Sequence, residues 1–502
     1  MTHTRTDVLI VGTGFSGLGM AIQLTRSGRT DYLLVEKADD VGGTWRDNVY
    51  PGCACDIPSH MYSFSYQQNP AWSRSFSPQP EIWDYLRDVA DRYDLRARTR
   101  FGTELVSAGW EESEQRWEST AANGDTFSSR LLVAGIGALH IPRLPDLPGM
   151  DSFAGPMFHS AAWDQSTDLT GKRVAVVGTG ASAIQFVPQI APDVEQLHVF
   201  QRTAPWLLPR PDHPISVRTQ QVFAKVPGAQ RAYRNLLYWI LESRALGFNG
   251  HPGFQRLAER LATKHLERKV EDPELRAKLR PDYRLGCKRV LLSSDYYPAL
   301  ARDNVELVDR GVAEVREHSV VDADGVEREV DAIIFGTGFH VVDAFQYLDI
   351  EGVDGISLAK QFDEKGVETY LGINVHGFPN LIFLLGPNTG LGHNSVVFMI
   401  EQQAAYAIRL LDEMDRRSVA SVDVRSTAQR EFNDSLQRRL ARGIWTQGGC
   451  TSWYLDVQGV NRAIWPGFTW KYWLETRRID TRAYTWGEPA VREIPSEVGV
   501  PA

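Results

Sequence analysis

Hydrophobic and polar positions follow the same plan twice along this chain. In each copy a short aliphatic run leads into a glycine turn, an amphipathic stretch with helical periodicity follows, and a second apolar run completes the unit. This order predicts strand, turn, helix and strand, as in a βαβ unit. The predicted elements are residues 8–12, 18–27 and 32–36 in the first copy, and residues 174–178, 184–190 and 196–202 in the second.

Three further apolar runs end in glycine and are predicted strands: residues 131–137, 332–338 and 381–387. We interpret the second as the return from the second nucleotide-binding domain to the first. The fold class is therefore predicted as α/β, with two Rossmann-like domains, the first split in sequence and the second inserted into it. The predicted boundaries are 1–145 and 336–502 for the first domain with the C-terminal region, 146–212 and 281–335 for the second, and 213–280 for a helical insertion.

Shorter elements are expected elsewhere. Residues 301–330 have the pattern of short strands, while residues 401–414 and 425–444 have the pattern of amphipathic helices. The tail from residue 489 is polar, contains proline, and is expected to be loosely held.

Composition narrows the function classes. The chain has 502 residues, 43% of them hydrophobic, which is enough for large cores, and its net charge of −9 without any Lys- and Arg-rich stretch argues against a nucleic-acid partner. The apolar run at residues 236–241 is far shorter than the roughly 20 residues of a membrane span, so we interpret it as one face of a buried helix. Residues 1–6 are polar rather than signal-like, and we expect a cytoplasmic protein, either a monomer or a small homo-oligomer.

The four cysteines are Cys53, Cys55, Cys287 and Cys450. The chain contains no CxxC motif, and Cys53 and Cys55 are too few and too close together to indicate a zinc site, so no metal is expected. We therefore interpret the cysteines as reduced, mostly buried thiols of a cytosolic protein.

The first glycine motif indicates a dinucleotide site. Gly12, Gly14 and Gly17 form GxGxxG between a predicted strand and helix, where the glycines allow a tight turn, close approach of a pyrophosphate, and helix–strand packing. The phosphates would lie at the helix N-terminus, beside Ser16. Glu36 ends the next strand, where a carboxylate accepts hydrogen bonds from ribose hydroxyls and repels a 2′-phosphate, so this site fits FAD or NAD.

The second glycine motif differs in its specificity residue. Gly178 and Gly180 repeat the turn, with Ala183 in the third position, and Ala181 and Ser182 lie between them. The next strand ends in Arg202 and Thr203 instead of an acidic residue. An arginine and a hydroxyl there suit a 2′-phosphate and predict NADPH, whereas the alternative is that Arg202 is an ordinary solvated surface arginine.

Several longer motifs resemble those of Baeyer–Villiger monooxygenases, which use FAD and NADPH. Residues 153–164 match FxGxxxHxxxW(P/D) at Phe153, Gly155, His159 and Trp163, with Asp164 as the less common final residue. Residues 43–56 match (A/G)GxWxxxx(F/Y)P(G/M)xxxD, and residues 286–289, 385–388 and 450–454 are also similar to the family. The resemblance extends from residue 8 to about residue 473 but leaves out the helical stretch 213–280. Flavin disulfide reductases, by contrast, need a different cysteine spacing from that of Cys53 and Cys55.

The resemblance implies a role for each site residue. Asp56 would lie near the flavin and orient Arg289, whose charge would stabilise the peroxide at flavin C4a and its anionic adduct with a ketone. Lys288 would bind the 2′-phosphate together with Arg202 and Thr203. The remaining implied cofactor contacts are Thr44, Trp45, Tyr62 and Trp453, with ordinary core packing as the alternative for Trp45 and Tyr62.

For the fingerprint, we favour a role of His159 in structure and domain motion over direct acid–base chemistry. The implied reaction is NADPH- and O2-dependent conversion of ketones to esters or lactones, with some sulfide oxidation. Two alternatives stay open: an N- or S-oxygenating flavin monooxygenase, and a non-catalytic flavin- and NADP-binding redox sensor.

Overall fold

The structure is a computed structural model that describes residues 1–248, 251–341 and 348–487. Within these residues the strands are β1 (His3–Val11), β2 (Tyr32–Val35), β3 (Thr99–Arg100), β4 (Leu105–Glu111), β5 (Arg116–Ala121), β6 (Thr126–Ala134), β7 (Met157–His159), β8 (Arg173–Val177), β9 (Gln196–Phe200), β10 (Leu207–Leu208), β11 (Leu291–Leu292), β12 (Val305–Val308), β13 (Val312–Arg316), β14 (Ser319–Asp322), β15 (Glu327–Glu329), β16 (Ala332–Phe335), β17 (Asp349–Glu351), β18 (Leu381–Phe383), β19 (Val422–Val424) and β20 (Tyr484–Trp486).

The α-helices of the same residues are α1 (Phe15–Arg26), α2 (Thr44–Asp47), α3 (Gln79–Arg92), α4 (Ala183–Ile190), α5 (Val217–Lys225), α6 (Ala229–Phe248), α7 (Pro252–Lys269), α8 (Pro273–Lys278), α9 (Tyr296–Leu300), α10 (Leu358–Lys365), α11 (Val396–Arg417), α12 (Ser426–Leu440), α13 (Ile444–Gln447) and α14 (Thr469–Thr476). Short 3₁₀ turns cover Arg96–Arg98, Met150–Ser152, Ser160–Ala162, Val353–Gly355 and Thr481–Ala483.

The larger sheet is built around β1. Its order is β17-β4-β5-β6-β1-β2-β3, and β18 also pairs with β6. β1 pairs in parallel with both β2 and β6, as expected for a βαβ unit in which α1 crosses from β1 to β2. Helices α1 and α11 pack against each other on this unit. The sheet therefore combines strands from before residue 135 with strands from after residue 348.

The second sheet has the order β12-β9-β8-β16-β7, and all its pairs are parallel. Helix α4 follows β8 as α1 follows β1, so the repeated hydrophobic plan produces two α/β units of the same kind. The predicted fold class, with two Rossmann-like domains and a helical insertion, is confirmed. We propose the same domain boundaries as those expected from the sequence, because β16 is the last strand of the second sheet and ends at residue 335, whereas β17 and β18 belong to the first sheet.

The helical insertion corrects one prediction. Residues 236–241 are helical, as part of α6, but the interpretation as one face of a buried helix is wrong because Leu236, Trp239 and Ile240 are 57%, 61% and 47% exposed. The buried side of α6 instead contains Arg234 and Leu241. Six consecutive apolar residues cover more than one turn, so they necessarily surround the helix and cannot indicate which side is buried.

No helix within the described ranges is both long and apolar enough to cross a membrane. In the same residues no cluster of His, Cys, Asp or Glu side chains has the arrangement of a metal site. The tail from residue 489, expected to be loosely held, lies outside the described residues.

Candidate active site

The first glycine turn joins β1 to α1 and has an open centre. Gly12 has φ +93°, and a Cβ added at Gly17 would overlap the Gly12 carbonyl oxygen, so the fold itself requires these two glycines. A Cβ at Gly14 would have no protein atom within 3.7 Å apart from its chain neighbours, the closest being 3.8 Å away. Ser16 is buried in the first turn of α1. A Cβ at Gly14 would thus make only ordinary contacts, and the turn can receive a pyrophosphate at the positive end of α1.

Glu36 follows β2 and is 5% exposed. One carboxylate oxygen accepts hydrogen bonds from the Thr13 amide at 2.9 Å and the Thr13 hydroxyl at 2.7 Å, while the other accepts from the Ala38 amide at 3.1 Å and lies 3.0 Å from Arg46. Burial alone would raise the pKa of Glu36, but the Thr13 hydrogen bond and the Arg46 charge lower it below its ordinary value. Glu36 is thus a fixed anion. Its carboxylate would accept hydrogen bonds from ribose hydroxyls in addition to its interactions with Thr13 and Arg46.

An aromatic group borders this turn. The Trp45 indole nitrogen donates to the Tyr62 hydroxyl at 3.1 Å, and their rings meet edge to face at 5.4 Å. The Phe15 ring, at the start of α1, packs on Tyr62 at 5.1 Å. Thr44 begins α2, the short helix that places Trp45 here. Burial raises the pKa of Tyr62 well above its ordinary value, so its hydroxyl stays neutral and acts as an acceptor for Trp45.

The second glycine turn joins β8 to α4. Gly178 has φ +109°, and a Cβ there would lie 2.5 Å from a carbonyl oxygen at the end of β16. At Gly180 the closest atom would be 3.6 Å away, so a Cβ at this glycine, as at Gly14 in the first turn, would make only an ordinary contact. Ala181 and Ser182 lead from the turn into α4. The two turns thus share one geometry, and each provides a place for a pyrophosphate.

Two cations lie together beyond the second turn. The Lys288 ammonium lies 5.0 Å from the centre of the Tyr283 ring, and its pKa is lowered by burial and then by the charge of Arg202, with Asp282 acting in the opposite direction. In the described part of the chain neither Lys288 nor Arg202 forms an ion pair. Thr203 follows Arg202, and its carbonyl accepts from the Thr179 hydroxyl at 3.4 Å. Two like charges that act on each other, neither in an ion pair with a carboxylate among the described residues, fit a doubly charged anion such as a 2′-phosphate.

Asp56 and Arg289 form the centre of the site. The Arg289 Nη2 donates to both Asp56 oxygens, at 2.7 and 2.6 Å, and its Nε donates at 3.0 Å. Its Nη1 points to the Leu391 carbonyl at 3.5 Å. The adjacent carboxylate raises the pKa of Arg289 above its already high ordinary value. About a third of the Arg289 side chain is exposed, so the pair holds a permanent cation at an accessible surface.

The loop that carries Arg289 is attached to a late segment of the chain. Cys287 and Cys450 form a disulfide, so the prediction of reduced thiols is wrong for this pair, whereas Cys53 and Cys55 are free and buried. The sequence could not indicate this pairing because 163 positions separate the two residues. Near the bond, Tyr454 is buried and its pKa is raised to about 12 by burial, against the effect of the Arg289 charge.

Trp453, predicted to contact a cofactor, is 42% exposed, and its ring lies 4.3 Å from that of Tyr454. Tyr454 was not predicted as a site residue. It is nevertheless close enough to Arg289 for that charge to lower its pKa against the effect of burial.

The fingerprint residues lie at the second sheet. Gly155 is required by close approach, since a Cβ there would overlap the Asp331 carbonyl, and Phe153 packs in the core beside it. His159 ends β7 and pairs with Phe335 of β16. Its Nδ1 accepts from the Ala161 amide at 3.1 Å, and burial lowers its pKa to about 4.

Trp163 links the fingerprint to the first domain. Its ring packs on Phe186 of α4 at 5.3 Å, and Phe186 packs on Tyr50 at 6.1 Å. The Tyr50 hydroxyl donates to Gln185 of α4 at 3.0 Å, and the Gln185 amide donates to the Ala54 carbonyl at 2.9 Å. Contacts therefore run from the fingerprint across α4 to the backbone two residues before Asp56.

Several residues of this site were not predicted from the sequence. Arg46 and Tyr454 stand inside motifs that were recognised, and Thr13 stands between two motif glycines, so position alone could have suggested them. Gln185 carried no signal, since a single glutamine on a helix is compatible with any exposed face. Lys288 of the cation pair and Arg289 of the Asp56–Arg289 pair are neighbours in the chain, so one loop contributes to both.

Comparison with known proteins is consistent with this geometry. The model of the family described as "FMO-like: Flavin-binding monooxygenase-like" matches residues 5–362. A Baeyer–Villiger monooxygenase of Pseudomonas aeruginosa is 49% identical over 478 residues, covering 95% of this chain and 90% of that protein. The NADP⁺-bound structure of cyclohexanone monooxygenase from Rhodococcus sp. Phi1 has a TM-score of 0.87 and 28% identity, covering 97% and 100% of the two chains. The structure of OTEMO complexed with FAD and NADP has a TM-score of 0.85 and 27% identity, covering 96% and 99%.

Proposed function

This chain belongs to the flavin-binding monooxygenase-like family, and we propose that it is an FAD- and NADPH-dependent Baeyer–Villiger monooxygenase. Its substrates are ketones. One oxygen atom of O2 is inserted between the carbonyl carbon and a neighbouring carbon, so one C–C bond breaks and two C–O bonds form to give an ester or lactone. The other oxygen atom leaves as water, and NADPH with a proton supplies the two electrons. Bound FAD supplies the redox chemistry between NADPH and O2.

The residues present fit both nucleotides. The space in front of Gly14 accepts the FAD pyrophosphate at the N-terminus of α1, while Glu36 holds the ribose as a fixed anion. The space in front of Gly180 accepts the pyrophosphate of NADPH, and the unpaired cations Arg202 and Lys288 bind its 2′-phosphate. Trp45 and Tyr62 border the flavin.

The observation that carries the proposal is the Asp56–Arg289 pair. Negative charge develops on the ketone oxygen as the new C–O bond forms, and a fixed guanidinium stabilises that charge without reorganising. Asp56 holds two of the three guanidinium nitrogens, which sets the orientation of the fork and leaves Nη1 toward the loop of Leu391. Oxidation of a sulfide does not create an anionic carbonyl oxygen, so it depends less on this cation.

The test is product analysis of the purified flavoprotein with isotopically labelled O2, NADPH and a panel of cyclic, linear and aromatic ketones, with a thioether and a tertiary amine in parallel. We expect labelled ester or lactone and NADPH consumption that rises with ketone. Oxidation of only the thioether or the amine would assign the chain to N- or S-oxygenation. Reduction of the flavin by NADPH, with no substrate that stimulates NADPH consumption, would indicate a redox sensor.

A matched control for this test is Gly14→Val. This variant removes the space for the pyrophosphate while leaving Arg289, Asp56 and the second nucleotide site in place, so any ester formed by it has another source. We further propose that the protein acts as a monomer or small homo-oligomer in the cytoplasm, which size-exclusion chromatography with light scattering and cell fractionation would test.

A further inference from the structure

The C-terminal half of α6 lies against the loops that form the active site. Glu242 accepts hydrogen bonds from Asn394 at 2.7 Å and from the Thr469 hydroxyl at 2.8 Å, and His393 lies 3.3 Å from the same carboxylate. The network is buried, since Glu242 is 1% exposed. These bonds fix the end of α6 against the segment that follows Leu391, whose carbonyl faces Arg289.

Phe248, at the end of α6, fills the space between the same loops. Its ring stacks on Trp445 at 5.6 Å, and Cβ atoms added at Gly286 and Gly392 would lie 3.1 and 3.4 Å from it. Gly286 is three residues before Arg289, and Gly392 directly follows Leu391. The last turn of α6 therefore lies beside the active centre, between the two loops that contact Arg289.

Arg244 stands one turn before Phe248 on this helix. Leu241 and Ala245, which flank it at the spacing of one helix face, are each 1% exposed, but the Arg244 side chain is exposed. Within the described part of the chain it forms no hydrogen bond or ion pair. Partial removal from water lowers the pKa of the Arg244 guanidinium, and the negative charge of Asp56 acts in the opposite direction. Arg244 is four residues before Phe248, so the two side chains lie on one side of α6, and Phe248 contacts the loops of Gly286 and Gly392. Arg244 thus lies at the edge of the buried face of α6, on the side of the helix that meets these loops.

The charges near the centre do not cancel. Asp56 and Arg289 neutralise each other, and Glu242 faces the His393, Asn394 and Thr469 network rather than Arg244. The Arg244 guanidinium therefore adds an uncompensated positive charge beside the reaction site. A planar fork with free donors binds a carboxylate in two parallel hydrogen bonds, and partial removal from water strengthens that bond.

We propose that Arg244 is a specificity residue that binds the carboxylate of the substrate, and that the preferred substrates of this enzyme are keto acids whose carboxylate lies on a chain extending from the ketone. This inference rests on the proposed function. Binding by Arg244 places the carboxylate at α6 and leaves the ketone oxygen near Arg289, so the length of the chain between the two groups determines the fit.

The experiment compares straight-chain keto acids of increasing length with their methyl esters, which have the same ketone but no charge. For the wild-type enzyme we expect kcat/KM for one or two adjacent chain lengths to exceed that of the matching ester on the order of 10- to 100-fold, the range for a hydrogen bond to a charged group. Arg244→Gln should remove this preference by raising KM for the acids, while activity on the esters and KM for NADPH stay unchanged. Arg244→Lys should restore part of it.

Arg231 offers a matched control. It is an exposed arginine on the same helix, and 13 residues along α6 place it about 20 Å from Arg244. Arg231→Gln should leave the preference for acids intact, which separates a local contact from a general effect of positive charge on the insertion.

The outcomes separate this inference from the proposed function. The role of Arg244 is overturned if the wild-type enzyme has equal kcat/KM for keto acids and their methyl esters. It is also overturned if the preference for the acids survives in Arg244→Gln. In both cases, formation of oxygenated product still supports the proposed function. A raised KM for NADPH in Arg244→Gln also overturns the role of Arg244, because Arg244 would then bind the nucleotide. Absence of oxygenated product from every ketone, charged or neutral, instead overturns the proposed function.

Discussion

Removing the Arg289 guanidinium should uncouple NADPH oxidation from product formation. Arg289→Ala deletes the two nitrogens that make three hydrogen bonds to Asp56 at 2.6 to 3.0 Å, and it leaves the Asp56 carboxylate without this partner. The reaction centre thus loses a cation and gains an unneutralised anion. Loss of one preorganised electrostatic partner costs roughly 2.7–4 kcal/mol of transition-state stabilisation, or about 100- to 1,000-fold in rate. The free energy of unfolding should change much less, by about 1 kcal/mol, because the side chains are 32% and 26% exposed.

The assay measures ester formed and hydrogen peroxide released per NADPH consumed. Arg289→Ala should retain bound flavin and its reduction by NADPH, while most of the consumed NADPH yields hydrogen peroxide instead of ester. Arg289→Lys should recover little, because a flexible point charge does not reproduce the planar fork that Asp56 orients. Asp56→Asn is the matched control, since it preserves shape and removes only the charge that positions Arg289. A wild-type ratio of ester to NADPH in Arg289→Ala would refute the assigned role.

Three other predictions address the nucleotide sites and the fingerprint. Arg202→Ala should reduce the preference for NADPH over NADH by roughly 1–3 kcal/mol, measured as the ratio of the two kcat/KM values; an unchanged ratio would exclude Arg202 from the site. Gly14→Val should fold, because Gly14 has φ −76° and a Cβ there would lie 3.8 Å from the closest protein atom, which is an ordinary contact. It should bind no FAD, because the branched side chain blocks the approach of the pyrophosphate; a normal flavin spectrum would contradict this. The pKa of His159 is lowered from 6.5 to about 4, so the unfolded state binds more protons between these values and the free energy of unfolding should fall as the pH drops from 6.5 to 4. His159→Asn should weaken that fall in denaturant titrations, and an identical pH profile would show that His159 does not contribute.

Local pattern was sufficient to predict the fold. An aliphatic run, a glycine turn and an amphipathic stretch follow one another in both units. This pattern depends on contacts between residues that are close in sequence, and such contacts determine β1–α1–β2 and β8–α4–β9. Helix α1 begins at Phe15 rather than at residue 18, because the chain turns into the helix directly after Gly14. Helix α11 is likewise longer than predicted, since the Ser395 side chain caps its start by accepting from the Val397 amide.

Contacts across long sequence separations could not be predicted in this way. Two interactions join a loop after the helical insertion to a loop near the end of the chain. They are the Cys287–Cys450 disulfide and the electrostatic interaction of Tyr454 with Arg289. No periodicity encodes such pairs. The same holds for Arg244, which lies in the one large region where no family motif occurs, and whose position is defined only when α6 packs against the loops of the first domain.

The fingerprint lies away from the Asp56–Arg289 pair but is connected to it by a chain of contacts. Trp163 contacts neither Asp56 nor either glycine turn, but its ring packs on Phe186 of α4, and α4 also holds the backbone of Ala54 through Gln185. Movement of the second sheet relative to the first must therefore either shift Ala54, two residues before Asp56, or break these contacts. Because the same site has to receive a hydride donor and then a ketone, some movement between steps is required. We infer that the fingerprint acts through this connection, by setting where α4 rests against the loop that positions Asp56.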